Sequence, residues 1–322
     1  MGHFPKLENG LIKGQLLREK VSFQIGGPAD LFVEPVDEAE LISVLDYCHK
    51  NSLPRFLIGS GTNLLVQDGG FRALVVHVAS QAAKKQIRVI AEEADRAVIR
   101  VPSFVLKAHL LDWSLENGYE GLEFSSGIPG SLGGGIYMNA GTRWGSYEDV
   151  VKSVRFWSAG RGVFELSAAE MNFKYRGHGN KVFESGAIVL SVDIELSKSK
   201  NIQSSYSLVS MILSYRGSRQ PLNFPNCGSV FKNPENSAKG AGRLIEASGL
   251  KGHRIGGAMI SDQHANFILN VDHATAEDVK ALIALMQQEV MDQFQVSLEP
   301  EVILCGTEKF LEKERLDLPG AF

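Results

Sequence analysis

Apolar side chains recur along this chain with the spacing of helices in some stretches and of strands in others. Leu41, Ile42, Leu45 and Cys48 fall on one face of a helix, and Asp37 stands where its cap belongs. Phe104–Asn117 has the same habit through Leu106, Leu110, Leu111 and Trp113 or Leu115, and Gly118 stops it. The longest such run opens at Thr275 and Asp278, a near capping box. It carries Val279, Leu282, Ile283, Met286 and Val290 inward as far as Phe294. A short helix is predicted over Gly242–Ser248, with Gly249 as its cap. Shorter runs predict strands at Phe56–Ile58, Leu74–Val78, Ile87–Ala91, Val98–Val101, Ser153–Trp157, Val163–Leu166, Ala187–Leu196, Phe267–Val271 and Val296–Leu304. Val21–Pro35 predicts a strand, a tight Gly26-Gly27-Pro28 turn and a second strand. Strands and helices mix without regular βαβ alternation, so the fold class expected is α+β, not a doubly wound sheet.

One stretch has no period at all. Gly118–Tyr147 carries Gly121, Gly127, Gly130, Gly133, Gly134, Gly135, Gly141 and Gly145, with Pro129 among them. Such a run gives up conformational entropy and cannot pack as an element on its own account. It does let backbone N–H groups approach a ligand closely. Ile128, Leu132, Ile136, Met138 and Trp144 make it too apolar for a solvated linker. A second junction, Gly59-Ser60-Gly61-Thr62-Asn63-Leu64-Leu65, follows a short strand and superficially suggests a dinucleotide fingerprint. Leu64 stands where the third glycine belongs, and the chain then turns at Gln67–Gly70 instead of starting a long helix, so a Rossmann reading fails. Two readings of that segment stay open: a loop whose amides and Ser60, Thr62 and Asn63 side chains hold a pyrophosphate, or an ordinary hairpin connection.

A chain of 322 residues is long for one core, and its apolar fraction of 44% is that of a soluble globular protein. No apolar run is long enough for a membrane span, and the N-terminus lacks the apolar segment of a signal peptide. A net charge near −4 argues against general nucleic-acid binding. Cys48, Cys227 and Cys305 are odd in number, widely spaced and in no metal-type cluster, which fits a reduced cytosol and no catalytic metal. Lys198–Ser207 is polar, short of core residues, and reads as a linker.

Seven segments, in order, resemble the UDP-N-acetylenolpyruvoylglucosamine reductase family. They are Ile25–Phe32 (IGGPADLF), Gly59–Phe71 (GSGTNLLVQDGGF), Gly121–Gly141 (GLEFSSGIPGSLGGGIYMNAG), Tyr175-Arg176, Gln220–Pro234 (QPLNFPNCGSVFKNP), Gly249–Asn270 (GLKGHRIGGAMISDQHANFILN) and Leu298–Val302 (LEPEV). The short segment between Arg176 and Gln220 is similar to the shorter family type. The resemblance implies a two-lobed FAD-binding domain of the vanillyl-alcohol-oxidase type with a smaller C-terminal α/β substrate domain. It divides the chain into lobes at residues 1–78 and 79–200, a linker at 201–217, a substrate domain at 218–304 and a tail at 305–322.

The family's activity, by implication, is reduction of an enolpyruvyl ether on a UDP-sugar in cytoplasmic peptidoglycan synthesis, with NADPH as hydride donor and FAD as cofactor. The pyrophosphate of FAD then belongs at Gly59, Ser60, Gly61, Thr62 and Asn63. More of the cofactor belongs against Gly127, Ile128, Pro129, Gly130, Gly133 and Gly134, and against Asn139, Ala140 and Gly141. Neither loop holds a histidine or cysteine, so non-covalent FAD is expected. Arg176 suits an enolate, Glu301 a buried acid that donates a hydrogen bond to it, and Ser229 the proton donor. Alone, these would be a strand-end arginine, an outward-facing carboxylate beside Glu299 and a turn serine. Lys232 and Asn233 offer donors to a diphosphate, and Lys251, Gln263, His264 and Asn266 are second candidates for the UDP part. The chain departs from the family at Val21-Ser22-Phe23-Gln24, at Gly177-His178-Gly179 and at Asn226-Cys227. The rival readings are another FAD oxidase or dehydrogenase acting on a hydroxyacid or sugar, and a nucleotide-binding protein without redox turnover.

Overall fold

The computed structural model describes residues 4–80 and 82–307. Its α-helices in chain order are α1 (Glu38–Lys50), α2 (Lys107–Glu116), α3 (Leu132–Tyr137), α4 (Ala168–Met171), α5 (Ile202–Gly217), α6 (Ala241–Ala247) and α7 (Ala276–Phe294). The α+β class expected from the pattern is what the sheets and helices make.

A four-stranded sheet has the order Leu11–Leu16, Pro28–Val33, Phe71–His77, Arg55–Ile58, its first pair antiparallel and the others parallel. A second, antiparallel sheet runs Gly162–Ser167, Val151–Ser158, Ile188–Lys198, Arg96–Pro102, Arg88–Glu92, and Tyr119–Glu120 also pairs with Ile188–Lys198. A single core joins the sheets: Leu31 and Val33 of the first and Ile99, Val154 and Trp157 of the second pack around Leu41 and Leu45 of α1. Each such fully buried side chain contributes about 1.5–3 kcal/mol, so the two lobes stabilise one another. At α1, Asp37 accepts the Glu40 amide at 2.8 Å as its sequence position promises.

Beyond α5, a three-stranded meander (Arg254–Ile255, Ala258–Ile260, Ile268–Asn270) packs on α6 and α7 around Leu244, Ile260, Ile268, Val279, Leu282 and Met286. Thr275 and Asp278 form a full capping box, with N···O distances of 3.0 and 3.1 Å. Phe23, Ile25 and Leu65 of the first lobe are buried in this second core, which fastens the C-terminal domain to the first sheet.

The structure corrects three expectations. Val21–Ile25 is not a strand; the antiparallel partner of Pro28–Val33 is Leu11–Leu16. The alternating Val21, Phe23 and Ile25 mark a turn, with Gln24 at φ +54°, whose apolar residues plug two cores. The expected linker at 201–217 is α5, a 16-residue helix. Only its start, up to Ser207, is polar enough to read as linker; Tyr206, Leu208, Met211 and Leu213 are exposed, and Ser205 and Ile212 are the residues it buries. The expected strand Val296–Leu304 shrinks to Ile303–Cys305, which pairs in parallel with Leu64–Val66. Pro300 has no N–H to give, and the amides of Glu301 and Val302 both turn to Val230 O. Cys305 therefore belongs to a strand and not to a tail, while 308–322 lies outside the described residues.

Candidate active site

The two glycine loops face each other across a cavity of about 810 Å³. Gly59, Ser60, Gly61, Thr62 and Asn63 line one side, following the strand Arg55–Ile58. Gly127, Ile128, Pro129, Gly130, Gly133, Gly134, Ala140 and Gly141 line the other, around α3. Glycine is required where the walls come closest. Gly61 sits at φ +59°, and a Cβ there would lie 2.6 Å from Val21 Cγ1; on Gly130, at φ +108°, it would lie 2.7 Å from Thr62 Oγ1. Asn139 is buried but does not line the cavity. Its amide donates to Lys174 O at 3.0 Å, so it braces the hairpin that carries Arg176.

That hairpin, Phe173–Lys174 against Gly177–His178, has Tyr175 and Arg176 at its tip. Arg176 is held at φ +54°, a left-handed conformation that costs on the order of 1–3 kcal/mol outside glycine. Its Nε meets Glu301 Oε1 at 2.9 Å, and Nη2 donates to Gly141 O at 3.2 Å. Nη1 makes no hydrogen bond among the described residues.

Glu301 arrives from the far end of the chain. Its amide donates to Val230 O at 2.7 Å, and its carbonyl accepts from Asn63 Nδ2 at 2.9 Å. The irregular backbone splits the two neighbouring acids: Glu299 pairs with Lys232 on the surface at 2.6 Å while Glu301 turns inward. Burial raises the Glu301 carboxyl above the usual carboxylate range, opposed by Arg176 and, more weakly, Lys232. Ser229 precedes Val230 and lines the same cavity, one residue after Gly228 at φ +83°. Arg176, Ser229 and Glu301, distant in sequence, are thus brought together.

The residues expected for the UDP part lie outside the lining. Lys232 and Lys251 are paired with Glu299 and Glu246, each at 2.6 Å. Asn233 Oδ1 accepts the Ala241 amide at 3.1 Å, and Asn266 spends its side chain on the Phe231 backbone, at 2.8 and 3.0 Å. Gln263 is exposed, its backbone N–H donating to Ser261 Oγ, and His264 packs edge-on against Phe267. Burial pushes the His264 ring towards its neutral form.

Sequence reasoning missed Lys107 and Arg216, both of which line the cavity. A signal existed for the first: a lysine in the opening turn of an amphipathic helix opposes the helix dipole and needs a reason. Arg216 was hidden by reading α5 as linker.

The residues present fit FAD. Ser60 Oγ and Ser103 Oγ are buried without a protein partner at the cavity wall, and a Cβ on Gly59, Gly61, Gly130 or Gly133 would intrude on the walls. Among the described residues no cluster of His, Cys, Asp or Glu could hold a metal, and no helix is long and apolar enough to cross a membrane.

Comparison with known proteins identifies the chain's relatives. Residues 29–167 match the family model described as FAD binding domain, and residues 220–305 match UDP-N-acetylenolpyruvoylglucosamine reductase, C-terminal domain. The chain is 39% identical to UDP-N-acetylenolpyruvoylglucosamine reductase of Alkaliphilus oremlandii over 295 residues, 91% of this chain and 92% of the relative. It is 38% identical to that of Clostridioides difficile, over 90% of this chain and 91% of the relative. The crystal structure of UDP-N-acetylenolpyruvylglucosamine reductase from Thermus caldophilus superposes with a TM-score of 0.73 at 30% identity, covering 92% of this chain and 98% of that one.

Proposed function

The chain belongs to the UDP-N-acetylenolpyruvoylglucosamine reductase family, and from that premise we propose how its own residues divide the work. It is an FAD-dependent oxidoreductase that uses NADPH to reduce the enolpyruvyl ether of UDP-N-acetylglucosamine enolpyruvate to UDP-N-acetylmuramate, a step of peptidoglycan synthesis. The relatives give no support to a hydroxyacid or sugar oxidase. Lobes at 1–78 and 79–200 hold the cofactor, 218–304 takes the sugar nucleotide, and the compartment is the cytoplasm, where the free, buried Cys48, Cys227 and Cys305 stay reduced.

The observation that carries the site assignment is the Arg176–Glu301 pair, 2.9 Å apart, on a cavity that Ser229 and both glycine loops also line. Bound FAD supplies the two-electron exchange between NADPH and the substrate alkene. What falls to the protein is the negative charge and the missing proton on the substrate. Arg176, permanently charged and with Nη1 uncommitted, binds the substrate carboxylate as charge spreads onto it. Glu301, its carboxyl raised by burial, donates a hydrogen bond to the same enolate in its protonated form. Ser229 delivers its hydroxyl proton to the carbon beside the carboxylate, and that enolate's stabilisation lowers the acidity asked of a serine.

For the sugar nucleotide, Lys232, Lys251, Gln263 and His264 of the C-terminal domain are the donors, lying beyond the cavity lining, and the two lysines exchange Glu299 and Glu246 for the diphosphate. Asn233 and Asn266 serve by holding the loop rather than by touching ligand. The test is spectroscopic. The purified protein should be yellow, bleach on anaerobic addition of NADPH, and regain colour when the enolpyruvyl sugar nucleotide is added. Recolouring by a hydroxyacid or sugar instead, or indifference to NADPH, would end this reading.

A further inference from the structure

Lys107 is 5% exposed, lines the cavity, and has no acidic partner among the described residues. Its position is fixed along its length. The backbone amide donates to Gly130 O at 2.9 Å, and the stem passes Gly135 so closely that a Cβ there would lie 3.2 Å from Lys107 Cδ and 3.0 Å from the Tyr147 ring. The ammonium and a hydroxyl of the first glycine loop border one small space, because a Cβ on Gly130 would lie 3.4 Å from Lys107 Nζ and 2.7 Å from Thr62 Oγ1. Arg176 and Arg216 add their charges to the same cavity, and its carboxylate, Glu301, is already engaged by Arg176. A buried lysine with two half-buried guanidiniums on the same cavity, and one carboxylate among them, calls for an anion.

Resting on the FAD reading above, we propose that Lys107 anchors the cofactor's diphosphate, sharing an oxygen with Thr62 at the end of the first glycine loop. Burial first, then Arg176 and Arg216, hold the free amine down to about 7 in the empty site. An arriving dianion reverses that balance. The amine takes one proton from solvent, the diphosphate keeps its charge, and the pair forms charged. FAD binding above pH 7 is therefore linked to proton uptake, and affinity falls as pH rises, by up to about tenfold per unit. Of the other groups facing Lys107, Arg176 and Arg216 stay charged and the Tyr147 hydroxyl is pushed far up by burial. Glu301, reached through Arg176, is the one whose titration has to be separated.

Apoprotein titrated with FAD by flavin fluorescence between pH 7 and 9, and by calorimetry at pH 8 in two buffers of different ionisation enthalpy, tests the proposal. Wild type should take up close to one proton at pH 8, and Lys107→Met should bind FAD at least about tenfold more weakly at pH 7 with no uptake. Lys107→Arg should bind FAD without uptake, because its guanidinium stays charged. That variant answers the question should the methionine one fail to fold. Wild-type affinity and uptake in Lys107→Met, or uptake persisting in Lys107→Arg, overturns the proposal. An effect confined to the midpoint potential of the bound flavin overturns it too, since that would place the ammonium at the isoalloxazine. If wild-type apoprotein binds no FAD at all, the family reading fails, and not this inference.

Discussion

The two walls of the cavity are specified in opposite ways. The wall proposed for the cofactor, Gly59–Asn63 and Gly127–Gly134, is defined by side chains that are missing: at Gly61 and Gly130 a single methyl group would strike Val21 or Thr62. The reactive wall is defined by side chains that are present, each brought from a distant segment. Arg176 sits on a strained hairpin tip, Glu301 on irregular backbone just before the strand Ile303–Cys305 that returns to the first lobe, and Ser229 on a loop bonded to that same segment. A wall made of backbone is insensitive to side-chain chemistry and intolerant of volume. A wall made of an ion pair and a hydroxyl is the reverse.

The sharpest way to separate the walls is Ser229→Ala. Reduction by NADPH should be unchanged, while reoxidation by the sugar nucleotide slows by roughly 10²–10⁴, the contribution of a positioned proton donor. Stopped-flow absorbance of the two half-reactions measures this directly. Equal loss in both halves would move Ser229 to the cofactor wall and erase the distinction.

Gly61→Ala attacks the opposite wall and should have a smaller effect. The new methyl group combines a left-handed backbone with a contact near 2.6 Å to Val21, strain on the order of 1–3 kcal/mol placed in the loop itself. FAD affinity should fall by about tenfold or more, read from flavin retained on gel filtration and from titration of the apoprotein. Once saturated with FAD, the variant's ratio of reoxidation to reduction should match wild type. A selective loss of reoxidation would show that the walls are not separable.

The same contrast explains what could be read from the chain alone. The Gly127–Gly134 wall was legible as a place for close backbone approach because its glycines are bunched locally, though Leu132–Tyr137 there closes into a short helix; that FAD belongs on it came only from the resemblance. The helices at Glu38–Lys50 and Ala276–Phe294 were legible for the same local reason, their caps and apolar faces lying within one segment. The reactive wall was legible only through resemblance, since nothing near Arg176 in sequence announces Glu301. Other losses had definite physical causes. Val21, Phe23 and Ile25 alternate like a strand because they fill cores on either side of a turn, and α5 looked like a linker because the protein buries so little of it. Lys107 was overlooked because an isolated lysine in a helix is ordinarily solvated; only the fold shows that this one is not.

The smallest change tests the seam between the walls. Ser22, in one of the segments where the chain departs from its family, has its hydroxyl 2.7 Å from Asn226 O and 3.3 Å from Gly61 O. With one proton to give, it donates to the nearer carbonyl, tying the loop that leads to Ser229 to the Gly59–Asn63 loop. Ser22→Ala removes a neutral hydrogen bond worth about 0.5–1.5 kcal/mol and leaves a carbonyl that the cavity's solvent can reach. Global stability, by urea denaturation, should fall by no more than that. FAD affinity should barely change, because the Gly61 turn is fixed by its own backbone and by Val21. Reoxidation by the sugar nucleotide should slow a few-fold, about what 1 kcal/mol of misplaced serine loop would cost. A loss shared equally between cofactor binding and reoxidation would mean that the seam supports both walls, and that the reactive side chains are positioned through the glycine loops rather than beside them.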